Sequence, residues 1–218
     1  MSAEPGSQID YEVFPLSLVF DPRWGVVAGT VRRQLDSFSC ARSTHIEKFA
    51  RESVHRWEKN GNSRTYVLIT TLSDGTIRVP GFFTVGMTSL DLSRASNAVR
   101  KKLMGDISFE QTGAFSIAEL ARADDFSNAQ LPGSTILDEA KSVIKKARGL
   151  VGGRFLVVDS RKEIFERLYR PAGFREVDIA EPPPGMEDAS FVTSCAVIKD
   201  WTDEPGEPVN GFPVTRPG

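Results

Sequence analysis

The sequence predicts a single domain of the mixed α/β class, in which helices pack against a sheet. Three observations lead to this prediction. β-branched and aromatic residues are concentrated in residues 64–90, an apolar stripe at helical spacing follows Gly133, and the second half of the chain has the order strand, helix, strand. That order is typical of a βαβ crossover. The chain has 218 residues, 40% of them hydrophobic and 26% charged, which suits one well-buried core.

The elements of the first half follow from local patterns. We expect residues 1–10 to be disordered and residues 11–20 to be extended, and residues 36–43 form a predicted turn. Apolar residues at helical spacing predict an amphipathic helix over residues 44–59, with Ser43 or Thr44 as its cap. Residues 64–72 and 76–90 are predicted to pair as an antiparallel hairpin around the turn at 73–75.

The second half contains the predicted crossover. A short basic helix over 94–104 precedes a strand at 115–123, a loop at 124–132 and a long helix that begins at Gly133 and stops within 149–153. A strand at 154–158, a helix at 161–170 and strands at 174–179 and 190–198 follow, the last two joined by a rigid link at 181–185. Residues 11–200 therefore form the expected domain, and residues 201–218 form a flexible tail rich in Pro and Gly.

Charge is unevenly distributed along the chain, although its net value is only -2. Residues 32–175 hold 24 basic and 16 acidic residues, whereas residues 176–218 hold two basic and nine acidic ones. A positive middle suits an anionic ligand such as a nucleotide cofactor or RNA, and a solvated surface explains it equally well. No stretch approaches the roughly 18 apolar residues of a membrane span, and the amino terminus does not resemble a signal peptide, so we expect a cytoplasmic protein with no membrane partner.

Metal and disulfide chemistry are not expected. Cys40 and Cys195 are the two cysteines, and His45 and His55 are the two histidines. None of them forms a pair at metal-ligand spacing, and a chain of this length needs no disulfide to hold its core.

The turn before the long helix is a candidate anion site. Free backbone N–H groups and the positive end of the helix dipole meet at a helix amino terminus, and together they suit a pyrophosphate. The residues at this turn run from Ala121 to Leu137 and contain one glycine, Gly133. An ordinary connection of an α/β protein would have the same pattern.

A second motif lies at residues 166–174, Glu-Arg-Leu-Tyr-Arg-Pro-Ala-Gly-Phe. Tyr169 ends a predicted helix, and Gly173 and Phe174 begin the next strand. This combination resembles the carboxy-terminal signature of the Gcn5-related N-acetyltransferase (GNAT) family. The resemblance implies a largely antiparallel sheet, splayed at its centre and covered by helices on both faces. It also implies that Tyr169 is the catalytic acid that protonates the coenzyme A thiolate, a role that suits a phenol.

The front half is similar to one branch of that family, the acetyltransferase toxins of toxin-antitoxin pairs. The similarity rests on three segments, Phe-Ser-Cys at 38–40, Asn-Ser-Arg-Thr-Tyr-Val at 62–67 and Pro-Gly-Phe-Phe-Thr at 80–84. It implies transfer of an acetyl group from acetyl-coenzyme A (acetyl-CoA) to an amine, namely the α-amino group of the amino acid on charged tRNA. A ribbon-helix-helix antitoxin and a homodimer are the partners expected on the same ground.

The resemblance also implies the residues that bind acetyl-CoA. The pantetheine would pair with the strand end at Ala121, Arg122 and Ala123, whose backbone N–H groups would also stabilise the oxyanion. The pyrophosphate would lie on the turn formed by Ala129, Gln130, Leu131, Pro132, Gly133, Ser134 and Thr135. The turn departs from the family pattern because Leu131 and Ala129 stand where glycines are frequent, and a Cβ there would hinder close approach of a phosphate.

Several alternatives stay open at this point. The general base could be Glu119 acting through water, and His45 and His55 on the front helix are the other titratable groups. Arg32, Arg33, Arg100, Lys101 and Lys102 are candidates to contact RNA. A protein that keeps the fold but no longer binds the cofactor is one alternative to the toxin-like enzyme, and an acetyltransferase for small amines or protein lysines is another.

Overall fold

The computed structural model describes residues 7–105, 109–179 and 190–198. Most of the segment expected to be disordered (1–6 of 1–10), the link at 181–185 and the tail at 201–218 lie outside these residues. The α-helices of the described residues are α1 (Leu16–Val19), α2 (Gly25–Asp36), α3 (Thr44–Lys48), α4 (Val54–Lys59), α5 (Asn97–Met104), α6 (Gly133–Val151) and α7 (Lys162–Ile164). A 3-10 turn at Pro22–Trp24 and π-helical turns at Phe49–Ser53 and Phe165–Tyr169 complete the helical elements of the described chain.

Seven strands form one sheet within the same described ranges. They are β1 (Glu12–Pro15), β2 (Ser63–Thr71), β3 (Ile77–Asp91), β4 (Gln111–Arg122), β5 (Phe155–Arg161), β6 (Arg175–Glu176) and β7 (Phe191–Val197). Their spatial order is β1-β2-β3-β4-β5-β7-β6, and every neighbouring pair is antiparallel except β4 with β5. The single parallel pair belongs to the crossover through α6. The predicted mixed, largely antiparallel sheet is therefore confirmed.

Helices cover both faces of the sheet because the strand residues alternate. Phe82 and Phe83 are neighbours on β3 and are both fully buried, yet they belong to different apolar clusters. Phe83 packs with the buried stripe of α6, and Phe82 packs with residues of α1, α2 and the π turn after α3. A third cluster packs α5 against the amino-terminal parts of β4 and β5 and the carboxy-terminal part of β7. In the described residues, none of the helices is apolar over the length that a bilayer requires.

The structure corrects the sequence prediction in four places. Residues 11–20 are not all extended, since β1 ends at Pro15 and α1 follows. Residues 25–36, for which no element was predicted, form helix α2. The strand expected at 174–179 is only two residues long, and the helix expected at 161–170 is a single turn that continues as a π turn. The predicted hairpin and the helices at 44–59, 94–104 and 133 onward are confirmed within a few residues.

Helix α2 was missed because its own sequence gives a weak signal. It contains two glycines and several β-branched residues, which are poor helix formers, and only Val31 and Leu35 are buried. Gln34 fixes it to the sheet: its Nε2 donates to the Ile77 carbonyl at 2.7 Å, and its Oε1 accepts from the Val79 N–H at 2.8 Å. A tertiary contact of this kind leaves no local pattern.

Candidate functional site

The sheet opens between its two central strands. β4 and β5 pair at only two positions, Phe115 with Leu156 and Ser116 with Val157. Beyond them β4 stays paired with β3 as far as Arg122, and β5 stays paired with β7 as far as Arg161. The facing backbone edges of β4 and β5 are thus left to a gap at their carboxyl ends, where another extended chain can hydrogen-bond to them.

A β-bulge in β4 lies at the start of this gap. Thr84 of β3 pairs with Glu119, whereas the next residue, Val85, pairs with Ile117, so Ala118 is the extra residue. A bulge of one residue reverses which face the following side chains take. Ile117 packs in the cluster of α6, whereas Ala121, four residues on, packs in the cluster of α2 on the opposite face. The bulge thereby directs Glu119 toward α3.

Glu119 makes a hydrogen-bonded pair with His45 of α3. His45 Nε2 lies 2.8 Å from Glu119 Oε1, and the side chains are 70% and 10% exposed, respectively. Burial raises the pKa of Glu119, and the adjacent His45 opposes that shift. A carboxyl with a raised pKa beside a gap in a sheet is a candidate proton acceptor.

Tyr169 lies at the end of the π turn that follows α7, and it packs in the apolar cluster of α6. Its ring is 4% exposed and makes an edge contact with Phe174, with the ring centroids 5.3 Å apart. Burial raises the pKa of Tyr169 far above its usual value, and the negative charge of Glu119 raises it further. The phenol therefore holds its proton at neutral pH, and the two groups are close enough to influence each other's charge.

The turn before α6 takes its shape without the glycines that were expected. No non-glycine residue of the described chain has a positive φ, and Gly133 is not among the glycines that do. The Leu131 side chain is 1% exposed and packs into the core cluster of α6. Its Cδ2 lies 3.4 Å from the place that a Cβ on Gly81 would take. The Leu131 side chain therefore fills the core above β3 and leaves the cradle, the concave side of the turn where a phosphate would lie, open.

Hydrogen bonds hold this turn from three sides. Arg122 donates from Nη1 to Asn128 Oδ1 at 2.9 Å and to the Leu131 carbonyl at 2.8 Å. Ser127 and Gln130 are joined twice, since the Ser127 N–H donates to Gln130 Oε1 and the Gln130 N–H donates to Ser127 Oγ. The Ile9 N–H donates to the Gln130 carbonyl at 3.1 Å. Arg122 is therefore placed to support the turn.

The structure narrows the set of N–H groups that an anion could reach at this turn. Pro132 has no N–H and, as the residue before α6, supplies no side-chain cap. The N–H groups of Gln130, Leu131 and Thr135 are already bound within the turn. In the part of the chain that the structure describes, the remaining three have no partner: Ala129, Gly133 and Ser134. Gly133 and Ser134 are also the first residues of α6, and its first turn contains no acidic residue.

The other residues singled out from the sequence lie apart from this gap. His55 packs against Phe20, with the ring centroids 4.6 Å apart and the ring planes tilted by 45°, and burial lowers the pKa of its imidazole. Arg32 lies over the same Phe20 ring. Cys40 and Cys195 are buried free thiols, and no group of potential metal ligands occurs among the described residues. The pairing of Glu119 with His45 across 74 positions is the feature that the sequence did not reveal.

Comparisons with known proteins identify the fold. A scan against models of protein families and a search of curated proteins find no match. A search of solved structures finds a tyrosine-to-phenylalanine mutant of KacT, 18% identical, with a TM-score of 0.62 over 88% of this chain and 96% of that one. It also finds AtaTR bound with acetyl-CoA, 19% identical, with a TM-score of 0.59 over 87% and 95% of the two chains.

A third match is AtaT complexed with acetyl-methionyl-tRNAfMet. It is 19% identical, with a TM-score of 0.59 over 84% of this chain and 94% of that one. At this level of identity the likeness concerns the fold. The chain thus has the splayed, two-sided sheet of the GNAT fold, which it shares with these structures.

Proposed function

We propose that the protein is an acetyl-CoA-dependent N-acetyltransferase that modifies the α-amino group of the amino acid on charged tRNA. The observation that carries this proposal is that the charge of Glu119, beside the gap between β4 and β5, acts on the phenol of Tyr169. One group keeps a proton to give and the other is a carboxyl with a raised pKa that can take one. An acid and a base that are coupled in this way suit transfer of an acyl group to an amine.

The residues at the gap fit acetyl-CoA, which would supply the activated acetyl group. The edge of β4 that faces the gap, at Ala121 and Arg122, would pair with the extended pantetheine. Ala123 would not take part, because its N–H donates to the Pro80 carbonyl and its carbonyl accepts from the Phe126 N–H. The N–H groups of Ala129, Gly133 and Ser134, with the amino terminus of α6, would hold the pyrophosphate. The burial of Leu131 supports this fit because its side chain does not occupy the cradle.

The proposed chemistry follows from the charges of the two groups. Glu119 takes a proton from the acceptor ammonium, which makes the nitrogen nucleophilic, and Tyr169 gives its proton to the departing sulfur. The two steps assist each other: once Glu119 is protonated, its negative charge no longer raises the pKa of Tyr169, so the phenol becomes a stronger acid. Backbone N–H groups of β4 would stabilise the charge that develops on the carbonyl oxygen.

The choice of charged tRNA as acceptor rests on the matches and on charge. The matches include AtaT complexed with acetyl-methionyl-tRNAfMet and an AtaT mutant toxin bound to the carboxy terminus of the antitoxin AtaR. The basic excess of residues 32–175 suits a polyanion. We further propose that residues 11–200 form one cytoplasmic domain, that it dimerises with itself, and that a ribbon-helix-helix antitoxin silences it.

Calorimetry and a transfer assay test the proposal. Acetyl-CoA should bind the full chain, and labelled acetyl should pass to aminoacylated total tRNA in preference to protein or to spermidine. Absence of acetyl-CoA binding at millimolar concentration would instead favour a binding module that only keeps the fold. Transfer to spermidine or protein without transfer to tRNA would establish the enzyme class and refute the tRNA acceptor.

A further inference from the structure

The buried base of this site needs a route by which its proton can leave. An acceptor ammonium has three protons and the amide product retains one, so two leave the nitrogen in each turnover. One replaces the proton that Tyr169 gives to the sulfur, and the other must reach water. Glu119 receives the proton that must reach water, yet its side chain is only 10% exposed.

His45 is the group that connects Glu119 to solvent. Its Nε2 lies 2.8 Å from Glu119 Oε1, while its side chain is 70% exposed. A hydrogen bond of this length permits direct proton transfer, and an imidazole can accept a proton on one ring nitrogen and release one from the other. An exposed ring exchanges its protons with water, which resets it after each transfer.

The surrounding chain holds His45 in this position. Ser43 caps α3 by accepting from the Ile46 N–H at 3.3 Å, which places His45 in the first turn. Asp124, just beyond β4, accepts from Ser39 Oγ and from the Ala41 N–H, both at 2.7 Å. The loop before α3 is therefore tied to the end of the strand that bears Glu119.

We propose that His45 is the proton exit of the enzyme: it takes from Glu119 the proton that Glu119 removed from the acceptor ammonium, and releases it to water. This inference rests on the proposed acetyltransferase function. The step is balanced, because the glutamic acid O–H breaks as the Nε2–H forms, and an N–H proton then passes to water. Tyr169 is the second titratable group on which the charge of Glu119 acts, and it takes no part in the relay.

Substitutions of His45 test the proposal by transient kinetics with aminoacylated total tRNA and, in parallel, spermidine as acceptors. His45→Gln keeps an N–H donor toward Glu119 but cannot relay a proton. We expect its kcat to fall about tenfold or more, with an unchanged KM for acetyl-CoA and with a pH profile that differs from that of the parent, because the relay is lost. His45→Ala should be slow in the same way, and added imidazole should restore its rate.

Lys48→Gln, an exposed change on the same helix, is the matched control and should keep the rate and pH profile of the parent. A parent-like kcat and pH profile for His45→Gln would overturn the proposal. So would a slow His45→Ala that imidazole does not restore, because that result indicates a structural role. If the parent itself transfers no acetyl group to either acceptor, the proposed function fails and the relay fails with it, whereas an active parent with a parent-like His45→Gln refutes the relay alone.

Discussion

At the scale of single residues, the acidity of Tyr169 depends on the charge of Glu119. Glu119→Gln removes that charge, so we expect the pKa of Tyr169 to fall toward the value that burial alone imposes. NMR of labelled tyrosine rings through the alkaline range measures the change as an earlier onset of titration. Glu58→Gln is the matched control, because Glu58 raises the pKa of Tyr66 instead. A Tyr169 titration that is the same in Glu119→Gln and in the parent would contradict the coupling.

Asp159 of β5 gives a prediction for stability. Burial raises the pKa of its carboxyl, and Thr193 opposes this by donating to it. The folded protein thus binds this proton more tightly than the unfolded chain, so the contribution is favourable at low pH and is lost as pH rises through the folded pKa. Asp159→Asn should therefore raise the melting temperature at pH 7.5, and the gain should vanish below pH 4. An equal gain at both pH values would show that ionisation is not the cause.

Some residues of the candidate site carry a signal in the sequence and others do not. Tyr169 could be predicted because a local motif, Tyr-Arg-Pro-Ala-Gly-Phe, identifies the end of a helix and the start of a strand. The pair of Glu119 with His45 could not, since it depends on a bulge and on a contact between distant segments. Leu131 seemed to block the phosphate turn in the sequence, because a sequence does not show which way a side chain points.

At the scale of elements, the bulge at Ala118 decides which face of β4 carries the base. The double variant Ala118→Glu with Glu119→Ala keeps the bulge but moves the carboxyl to the extra residue, whose side chain is exposed. We expect acetyl transfer to be lost, because the carboxyl then no longer faces His45 and the gap. Ala118→Ser is the control, because the side chain at this position is exposed and the backbone count is unchanged. Full activity in the double variant would refute the role of the bulge.

The turn before α6 is the second element with a testable role. Arg122→Met removes the two hydrogen bonds to Asn128 and to the Leu131 carbonyl. The loosened turn should bind acetyl-CoA about tenfold more weakly, which corresponds to about 1.4 kcal/mol, as measured by calorimetry. Arg42→Met, which removes only a bond to the Arg122 carbonyl, should change the affinity less. Equal affinities for the parent and Arg122→Met would show that these two hydrogen bonds do not shape the turn for acetyl-CoA binding.

Elements with a regular apolar period were predictable, and those fixed by tertiary contacts were not. Helix α6 has a continuous buried stripe of Ile136, Leu137, Ala140 and Ile144, which is visible as a period in the sequence. Helix α2 lacks such a stripe, and its place depends on Gln34 binding the backbone of β3. The shortness of β6 likewise reflects pairing with β7 at only two positions.

At the scale of the whole molecule, the fold joins two apolar clusters across one sheet and leaves a gap where β4 and β5 part. One face carries α6, and the other carries α3 with His45. Glu119 lies beside the gap, and its charge acts on Tyr169. We therefore expect acetyl transfer to depend on the phenol of Tyr169, whose ring packs against Phe174 without the help of its hydroxyl.

The most direct measurement is the rate of labelled acetyl transfer to aminoacylated tRNA by the parent and by Tyr169→Phe. We expect the variant to bind acetyl-CoA and to melt like the parent. It should transfer acetyl about 10² to 10⁴ times more slowly. It should also no longer slow the growth of cells that express it. A Tyr169→Phe variant that transfers acetyl at the rate of the parent would contradict the central claim.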